Sequence, residues 1–125
     1  MNVVVGPKQY NWTLIDRSWD YQVGLGLLPV VELSFMPALL ADCAWPANGP
    51  VSPGGRSINP DKRKCETVMH YQGVREPPTH FEDWFDLVFA LGSHAVERYG
   101  LHNVSQWSFE VWNESKFSLI LLVSK

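Results

Sequence analysis

The order of the predicted elements is the feature that most restricts the fold of this chain. Short apolar segments of strand type alternate with segments whose apolar residues recur at helical spacing, in the order strand, helix, strand, long loop, helix, strand. Such alternation indicates parallel strands joined by right-handed crossovers. We therefore predict an α/β fold with about three parallel strands and two crossover helices. A (β/α)8 barrel needs about 250 residues, so this chain would be a fragment of one.

The first predicted helix follows a short strand near the start of the chain. Residues 2–5 are apolar enough for that strand, and Gly6-Pro7 interrupts the pattern. Asn11 is suited to be an N-cap, because its side chain can accept a hydrogen bond from the first helical N–H groups. Gly24 and Gly26 are suited to end the helix. Helical spacing predicts one buried face, made of Trp12, Ile15, Trp19 and Val23.

A second strand and a long loop come next. Leu27 to Phe35 is a β-branched apolar run that predicts a strand buried on both faces, and Pro37 ends it. Glu32 lies within this run. Because burying a lone carboxylate is costly, we expect Glu32 to face the interior of a barrel and to be hydrogen-bonded there. Residues 38–78 are rich in proline and glycine, and a connection of that length is often functional.

The second helix has a predicted start, face and end. Thr79 and Glu82 have the spacing of a capping box, and Gly100 is suited to end the helix. We interpret the apolar stripe between them as core rather than as a cofactor site. The predicted stripe consists of Phe81, Trp84, Phe85, Val88, Gly92, Ala95, Val96 and Tyr99.

The last predicted strand, residues 107–114, ends in an amide and a carboxylic acid. In an extended segment Glu110 and Glu114 lie on one side, while Asn113 lies on the other. Catalytic groups collect at the carboxyl ends of barrel strands. An Asn-Glu pair there suits glycoside cleavage, since the acid can protonate the leaving oxygen and the amide can hold a sugar hydroxyl.

Charge and composition narrow the range of partners. The net charge is −3, and nothing basic indicates nucleic acid or an anionic membrane as a partner. No apolar run is long enough to span a bilayer, and the first residues do not predict a signal peptide. We expect a carbohydrate substrate and neither a nucleic-acid nor a membrane partner. The oligomeric state and the compartment stay open.

The patterns of cysteine, histidine and asparagine predict few further metal-binding, disulfide or glycosylation sites. Cys43 and Cys65 match no zinc pattern, and a disulfide or two free thiols are equally compatible with their spacing. The four histidines show no metal-binding spacing. Residues 11–13 and 103–105 fit the N-glycosylation pattern, which has meaning only in a secreted protein. Residues 113–115 fit it as well, and we interpret that match as chance.

Four segments together carry a family resemblance. They are residues 31–37 and 109–114, which have the character of strands, and residues 83–88 and 96–100 in the helix between them. Their combination resembles glycoside hydrolase family thirty-nine, the family of β-xylosidases and α-L-iduronidases. The similarity covers most of residues 10–114 and is weakest in the proline-rich loop.

This resemblance implies a retaining glycosidase on a (β/α)8 TIM barrel that needs no metal or organic cofactor. By match to the family motif, Glu114 would be the general acid/base. Asn113 would bind the sugar hydroxyl next to the reacting carbon, and Phe35 would line the sugar pocket. Retention needs a second carboxylate about 5–5.5 Å away as the nucleophile. The resemblance puts that residue on a strand beyond the present sequence.

The end of the chain departs from the family. Ser115 stands where the family usually has proline, and residues 115–125 match nothing in it. We therefore expect residues 1–125 to form a partial catalytic domain with an atypical tail, inactive by itself. The alternative is a truncated fragment with at most sugar-binding or protein-binding activity.

Glu114 also has two simpler interpretations. It could be an ordinary strand-end carboxylate in a salt bridge. It could instead hold a metal together with Glu110 on a helix, but Val111 and the aromatic residues beside it favour a strand.

Overall fold

The computed structural model describes residues 3–43, 65, 67–68 and 73–111 of the chain. Three helices and six short strands lie within these residues. In chain order they are β1 (Val4–Gly6), β2 (Gln9–Tyr10), α1 (Thr13–Gly24), β3 (Val30–Leu33), β4 (Thr67–Val68), β5 (Gly73–Val74), α2 (Phe81–Tyr99), α3 (Leu101–Val104) and β6 (Ser108–Val111).

Strands β3 and β6 pair in parallel, as the alternation of elements predicts. Val30 lies opposite Ser108, and Leu33 lies opposite Val111. Helix α2 lies in the connection between the two strands. The expectation of a third parallel strand is wrong for the first strand, because β1 pairs with β2 in a separate antiparallel sheet. The turn at residues 7–8 folds β1 back onto β2, so β1 is not available for the parallel pair.

The core beneath the parallel pair is made by the helices that precede each strand. Val31 of β3 is buried there against Trp19 of α1, Leu91 and Ala95 of α2, and Trp107. The rings of Trp19 and Trp107 meet edge to face, with centroids 5.1 Å apart. This packing fixes the positions of both strands relative to both helices.

Helix α1 follows the predicted pattern. The Oδ1 atom of Asn11 accepts a hydrogen bond of 3.1 Å from the backbone N–H of Thr13, although the residue at the N-cap position itself is Trp12. The predicted apolar face packs into the core, with Trp19 buried and Ile15 and Val23 partly buried against it. Gly26 has a φ of 73° just after the helix, a conformation that glycine adopts without strain.

Helix α2 corrects two of the predictions. Thr79 does not cap it, since its Oγ1 donates a hydrogen bond of 3.1 Å to the carbonyl of Ala41 and His80 is the N-cap residue. The predicted stripe is correct only in part. The buried residues of α2 are Leu87, Leu91 and Ala95, and of the other predicted members Trp84, Val96 and Tyr99 are partly buried against the core. Three phenylalanines at four-residue spacing are exposed instead: Phe81, Phe85 and Phe89.

The strand predicted from residue 27 to residue 35 is shorter and less buried than expected. Only Val30–Leu33 is extended in the sheet. Leu27, Leu28 and Val30 are exposed, Val30 by 68%. The prediction of burial on both faces is therefore wrong. One face of β3 packs on the helices, whereas no described residue covers the other.

The structure describes residues 38–43, 65, 67–68 and 73–78 of the long loop. Strands β4 and β5 form an antiparallel hairpin within it, and Ala41 pairs with Pro78 in an isolated bridge. A disulfide joins Cys43 to Cys65, which decides between the two alternatives that the spacing left open. A second core cluster fills the space beneath, and it includes Val4, Met36, Leu40, Cys65, Val74 and Leu87.

Candidate active site

The carboxyl ends of β3 and β6 form one edge, because the two strands run in the same direction. Glu32 and Glu110 lie side by side in the register. They project from the face opposite Val31, since side chains alternate along a strand, and both are exposed. The hydroxyl of Ser34 donates a hydrogen bond of 2.7 Å to Oε1 of Glu32. Glu32 thus has the hydrogen-bond partner that we expected, but it is not buried.

Phe35 lies immediately beyond this edge in a backbone conformation that is rare for its residue type. Its φ is 58°, in the left-handed region that a bulky side chain normally avoids. A Cβ atom placed on Gly73 would lie only 2.6–2.9 Å from carbon atoms of the Phe35 ring. Glycine at position 73 therefore leaves the space that the ring occupies. No pattern in the sequence indicated this role for Gly73.

The β4–β5 hairpin is held against the segment that carries Phe35. The backbone N–H of Met36 donates a hydrogen bond of 3.0 Å to the carbonyl of Val74. Met36 and Val74 are both buried. Further along the chain, the carboxyl-bearing Glu76 is buried as well, with 4% of its surface exposed. The hairpin and the end of β3 thus form one packed unit.

The structure places one of the three predicted site residues. Phe35 lies at the end of β3, at the edge where the carboxyl ends of the parallel strands meet. Asn113 and Glu114 lie outside the described residues, and so does the predicted tail at residues 115–125. The last described residue of β6 is Val111. The roles assigned to Asn113 and Glu114 therefore stay predictions from the sequence.

A polar cluster joins helices α1 and α2 away from this edge. Nε2 of His94 lies 2.6 Å from Oδ1 of Asp16, and the His94 ring stacks on Trp12. One turn further along α2, NH2 of Arg98 donates a hydrogen bond of 2.6 Å to Asp20. The hydrogen bond from Arg98 is the main cause that lowers the pKa of Asp20.

Tyr99 completes this cluster. Its hydroxyl donates a hydrogen bond of 2.7 Å to Oδ1 of Asp20. Burial, followed by this hydrogen bond, raises the pKa of Tyr99 to about 12. The arrangement stabilises the contact between the two helices, and we assign it no chemistry.

A small cavity of about 130 Å³ lies under the β1–β2 hairpin and is lined in part by Tyr10, Leu40 and Asp83. At its rim, Nζ of Lys8 lies 2.8 Å from Oδ2 of Asp86, and this hydrogen bond raises the pKa of Lys8. In the described part of the chain, no three His, Cys, Asp or Glu side chains are grouped so that they could hold a metal ion. No helix there is long and apolar enough to cross a membrane.

Comparisons with known proteins agree with the family resemblance. Residues 60–120 match the sequence family described as glycosyl hydrolases family 39. A beta-xylosidase of Geobacillus stearothermophilus is 37% identical over 105 residues, which cover 84% of this chain and 17% of that protein. A beta-xylosidase of Caldicellulosiruptor saccharolyticus is 34% identical over 109 residues, which cover 87% of this chain and 18% of that protein.

An animal protein is also similar over a shorter stretch. The human alpha-L-iduronidase is 50% identical over 45 residues, which cover 36% of this chain and 7% of that protein. The chain thus spans less than a fifth of the length of each of these relatives.

Proposed function

The chain is a relative of glycosyl hydrolase family 39, and on that premise we propose that it is part of a retaining glycosidase that cleaves β-xylosides or α-L-iduronides. Within that enzyme it supplies the general acid/base half of the active site. Both substrate classes are taken from the names of the similar proteins. The present residues do not choose between the two.

Glu114 is the proposed acid/base, and it acts twice. In the first step its protonated carboxyl group gives a proton to the glycosidic oxygen as the bond to the sugar breaks. In the second step the resulting carboxylate takes a proton from the water that attacks the glycosyl-enzyme intermediate. The nucleophilic carboxylate comes from a segment outside the present residues, so the chain by itself does not turn over substrate.

Asn113 and Phe35 are the proposed sugar-binding residues. The Asn113 amide holds the hydroxyl next to the reacting carbon, where a hydrogen bond that strengthens in the transition state contributes to the rate. Phe35 lines the pocket and presents an apolar ring surface to the sugar. The fixed conformation of Phe35 against Gly73 supports this role, because a preorganised side chain loses little conformational freedom on binding.

The parallel pairing of β3 with β6 is the observation that carries the proposal. It brings the carboxyl ends of both strands to one edge. At that edge lies Phe35, and the sequence continues from Val111 to Asn113-Glu114 within three positions. Active sites of (β/α)8 enzymes form at the corresponding edge of the barrel.

A chimeric enzyme tests the role of Glu114. Residues 10–114 of this chain would replace the matching segment of the Geobacillus beta-xylosidase, and Glu114→Gln would then be introduced. We expect Glu114→Gln to slow cleavage of alkyl xylosides, whose leaving groups need protonation, by about 10²–10⁴-fold. Aryl xylosides with good leaving groups should be much less affected in their first step.

Azide gives the test a second readout. A small anionic nucleophile needs no general base, so azide should restore turnover of aryl xylosides by Glu114→Gln and yield the glycosyl azide. Glu110→Gln is the matched control, since it lies on the same strand and should keep the pattern of the parent chimera. Equal loss on alkyl and aryl xylosides without azide rescue would remove Glu114 from the proposed role.

A non-catalytic fragment is the second candidate function. The exposure of Val30 and Val111 favours it, because apolar strand residues without a covering layer are typical of a surface that needs a partner. Binding of a xyloside to the 125-residue protein without hydrolysis, followed by NMR, would support this candidate. Measurable turnover by the same pure protein would exclude this candidate, and it would also contradict the proposal that the chain alone lacks the nucleophile.

A further inference from the structure

We propose that Asn11 is an N-glycosylation site of this protein. Residues 11–13, Asn-Trp-Thr, form an acceptor sequence with no proline at the middle position. The glycosidase function proposed above does not enter this argument. The argument instead uses the local structure at Asn11 and the disulfide between Cys43 and Cys65.

The structure presents Asn11 outward. Trp12 packs into the core and stacks on His94, so its neighbours Asn11 and Thr13 remain exposed between β2 and α1. The backbone N–H of Asn11 is held by the carbonyl of Val3 at 2.7 Å. A glycan on this side chain would extend into solvent and would not displace core residues.

The side-chain hydrogen bond of Asn11 uses its oxygen atom and not its nitrogen atom. Its Oδ1 accepts the hydrogen bond from the N–H of Thr13, which forms an Asx turn. The Nδ2 atom, to which a glycan is attached, makes no hydrogen bond to any residue in the described part of the chain. At the second acceptor sequence the atoms are used differently. There Nδ2 of Asn103 donates a hydrogen bond of 2.8 Å to the carbonyl of Tyr99.

The disulfide supplies an independent observation about the compartment. A bond between Cys43 and Cys65 persists in oxidising compartments such as the lumen of the secretory pathway. N-linked glycans are added in that same lumen. The chain thus combines an exposed glycan acceptor, Asn11, with a disulfide that forms in the compartment that holds the oligosaccharide donor.

The chemical step is a transfer from a lipid-linked donor. Nδ2 of Asn11 attacks the anomeric carbon of an oligosaccharide carried on a lipid diphosphate, which is brought to the acceptor by the cell's oligosaccharyltransferase. A C–N bond forms, and the bond from the anomeric carbon to the diphosphate oxygen breaks. The amide nitrogen loses one proton, and the lipid diphosphate leaves with the electron pair of the broken bond.

The test is expression of the chain behind a cleavable signal sequence in a eukaryotic cell. Peptides of the secreted protein would be treated with an amidase that releases N-glycans in heavy-oxygen water, which converts a glycosylated asparagine into labelled aspartate. We expect the label at position 11. Detection of the Cys43–Cys65 disulfide in the same molecules shows that they passed through the lumen.

Two variants at one position provide the control. Thr13→Ser keeps the acceptor sequence and should keep the glycan, whereas Thr13→Ala removes the hydroxyl and should lose the glycan entirely. Neither substitution changes Asn11 or the backbone N–H that it binds. Absence of the label at position 11 in disulfide-bonded molecules, equal labelling of both variants, or free thiols in the secreted protein would each overturn the proposal.

Discussion

At the scale of single residues, the strained backbone of Phe35 shows how an aromatic side chain is held in one orientation. A bulky residue in the left-handed region costs of order 1–3 kcal/mol, so its surroundings must compensate for that cost. The bond from the N–H of Met36 to Val74 and the space above Gly73 do so. The aromatic ring is thereby oriented before any ligand arrives.

Gly73→Ala tests this arrangement. The added methyl group would meet the Phe35 ring at distances that atoms do not tolerate, so we expect a loss of about 1–3 kcal/mol in the free energy of unfolding. Gly92→Ala is the matched control, because nothing lies within 4 Å of a Cβ at that helical position. It should stabilise α2 by about 1 kcal/mol. Urea unfolding measures both, and equal effects would contradict the packing role of Gly73.

The raised pKa of Tyr99 predicts a lower free energy of unfolding at high pH. Its pKa is raised from 10.0 to about 12 in the folded chain, first by burial and then by the hydrogen bond to Asp20. The folded state therefore holds this proton more tightly than the unfolded state. The contribution of Tyr99 to the free energy of unfolding is fully present below pH 10. It should fall as the pH rises from 10 towards 12.

Urea unfolding across that pH interval measures the effect. Tyr99→Phe cannot ionise and should show a shallower fall. Tyr21→Phe, at a tyrosine that is 70% exposed, is the control and should follow the parent protein. The prediction would be refuted by identical pH dependence of the parent protein and Tyr99→Phe.

Sequence patterns foresee single residues only where the partner is close in the chain. Asn11 was predicted to bind a neighbouring helical N–H, and it binds that of Thr13, two residues away. Thr79 was predicted to cap α2, but its hydroxyl bonds to Ala41, 38 residues away. Gly73 lies 38 positions from Phe35, and no local pattern connects the two. Partners that the fold brings together from a distance cannot be deduced from spacing alone.

At the scale of elements, α2 is apolar on more than one side, and this explains the error in its predicted face. A stripe through Phe81 and Phe85 and a stripe through Leu87 and Leu91 both have helical spacing. Leu91 packs into the core below β3 together with Ala95, which is fully buried, whereas Leu87 packs into the second core cluster. The apolar periodicity predicts the helix, and Gly100 predicts its end. Which of the two stripes is buried depends on the elements that the fold packs against the helix.

The disulfide should contribute strongly to the stability of the β4–β5 region. Cys43 and Cys65 are separated by 22 positions, and closing a loop of that size stabilises a fold by about 3 kcal/mol. The double variant Cys43→Ser, Cys65→Ser should lose about that amount in urea unfolding. In a strong reductant the parent protein and the double variant should become equally stable. A difference that persists in the reductant would indicate an effect other than the bond.

At the scale of the whole molecule, the described part of the parallel pair exposes apolar side chains on both faces, with Val30 on one face and Phe109 and Val111 on the other. Val30 and Val111 are 68% and 66% exposed, and Phe109 is 45% exposed. Exposed apolar strands pair with other chains. We therefore expect the 125-residue protein to self-associate at concentrations at which a fully covered domain of this size is monomeric.

Sedimentation velocity measures this association. Val111→Lys places a charge on the exposed edge strand and should shift the protein towards monomer. Leu14→Lys, at a residue exposed on helix α1, is the control and should not change the association. Equal association of the parent protein and both variants would show that the strand edge is not involved.

The sequence predicts the general architecture better than its extent. The parallel pairing follows from the alternation of strands and helices. The family follows from residues 31–37 and 109–114 in combination with residues 83–88 and 96–100. The antiparallel partner of β1 could not be foreseen, because β2 consists of two residues without a strand pattern. The burial of β3 was overestimated because a parallel strand is buried on both faces only when both faces are covered.

The register of the parallel pair also has a consequence for synthesis on the ribosome. Val30 pairs with Ser108, so β3 is made roughly 80 residues before its partner, and at 5–20 residues per second it waits about 4–16 s for that partner. During that interval, chaperones or neighbouring nascent chains can bind to the exposed valine and the unpaired backbone groups of β3. The translation speed between these two codons should therefore influence the yield of folded protein.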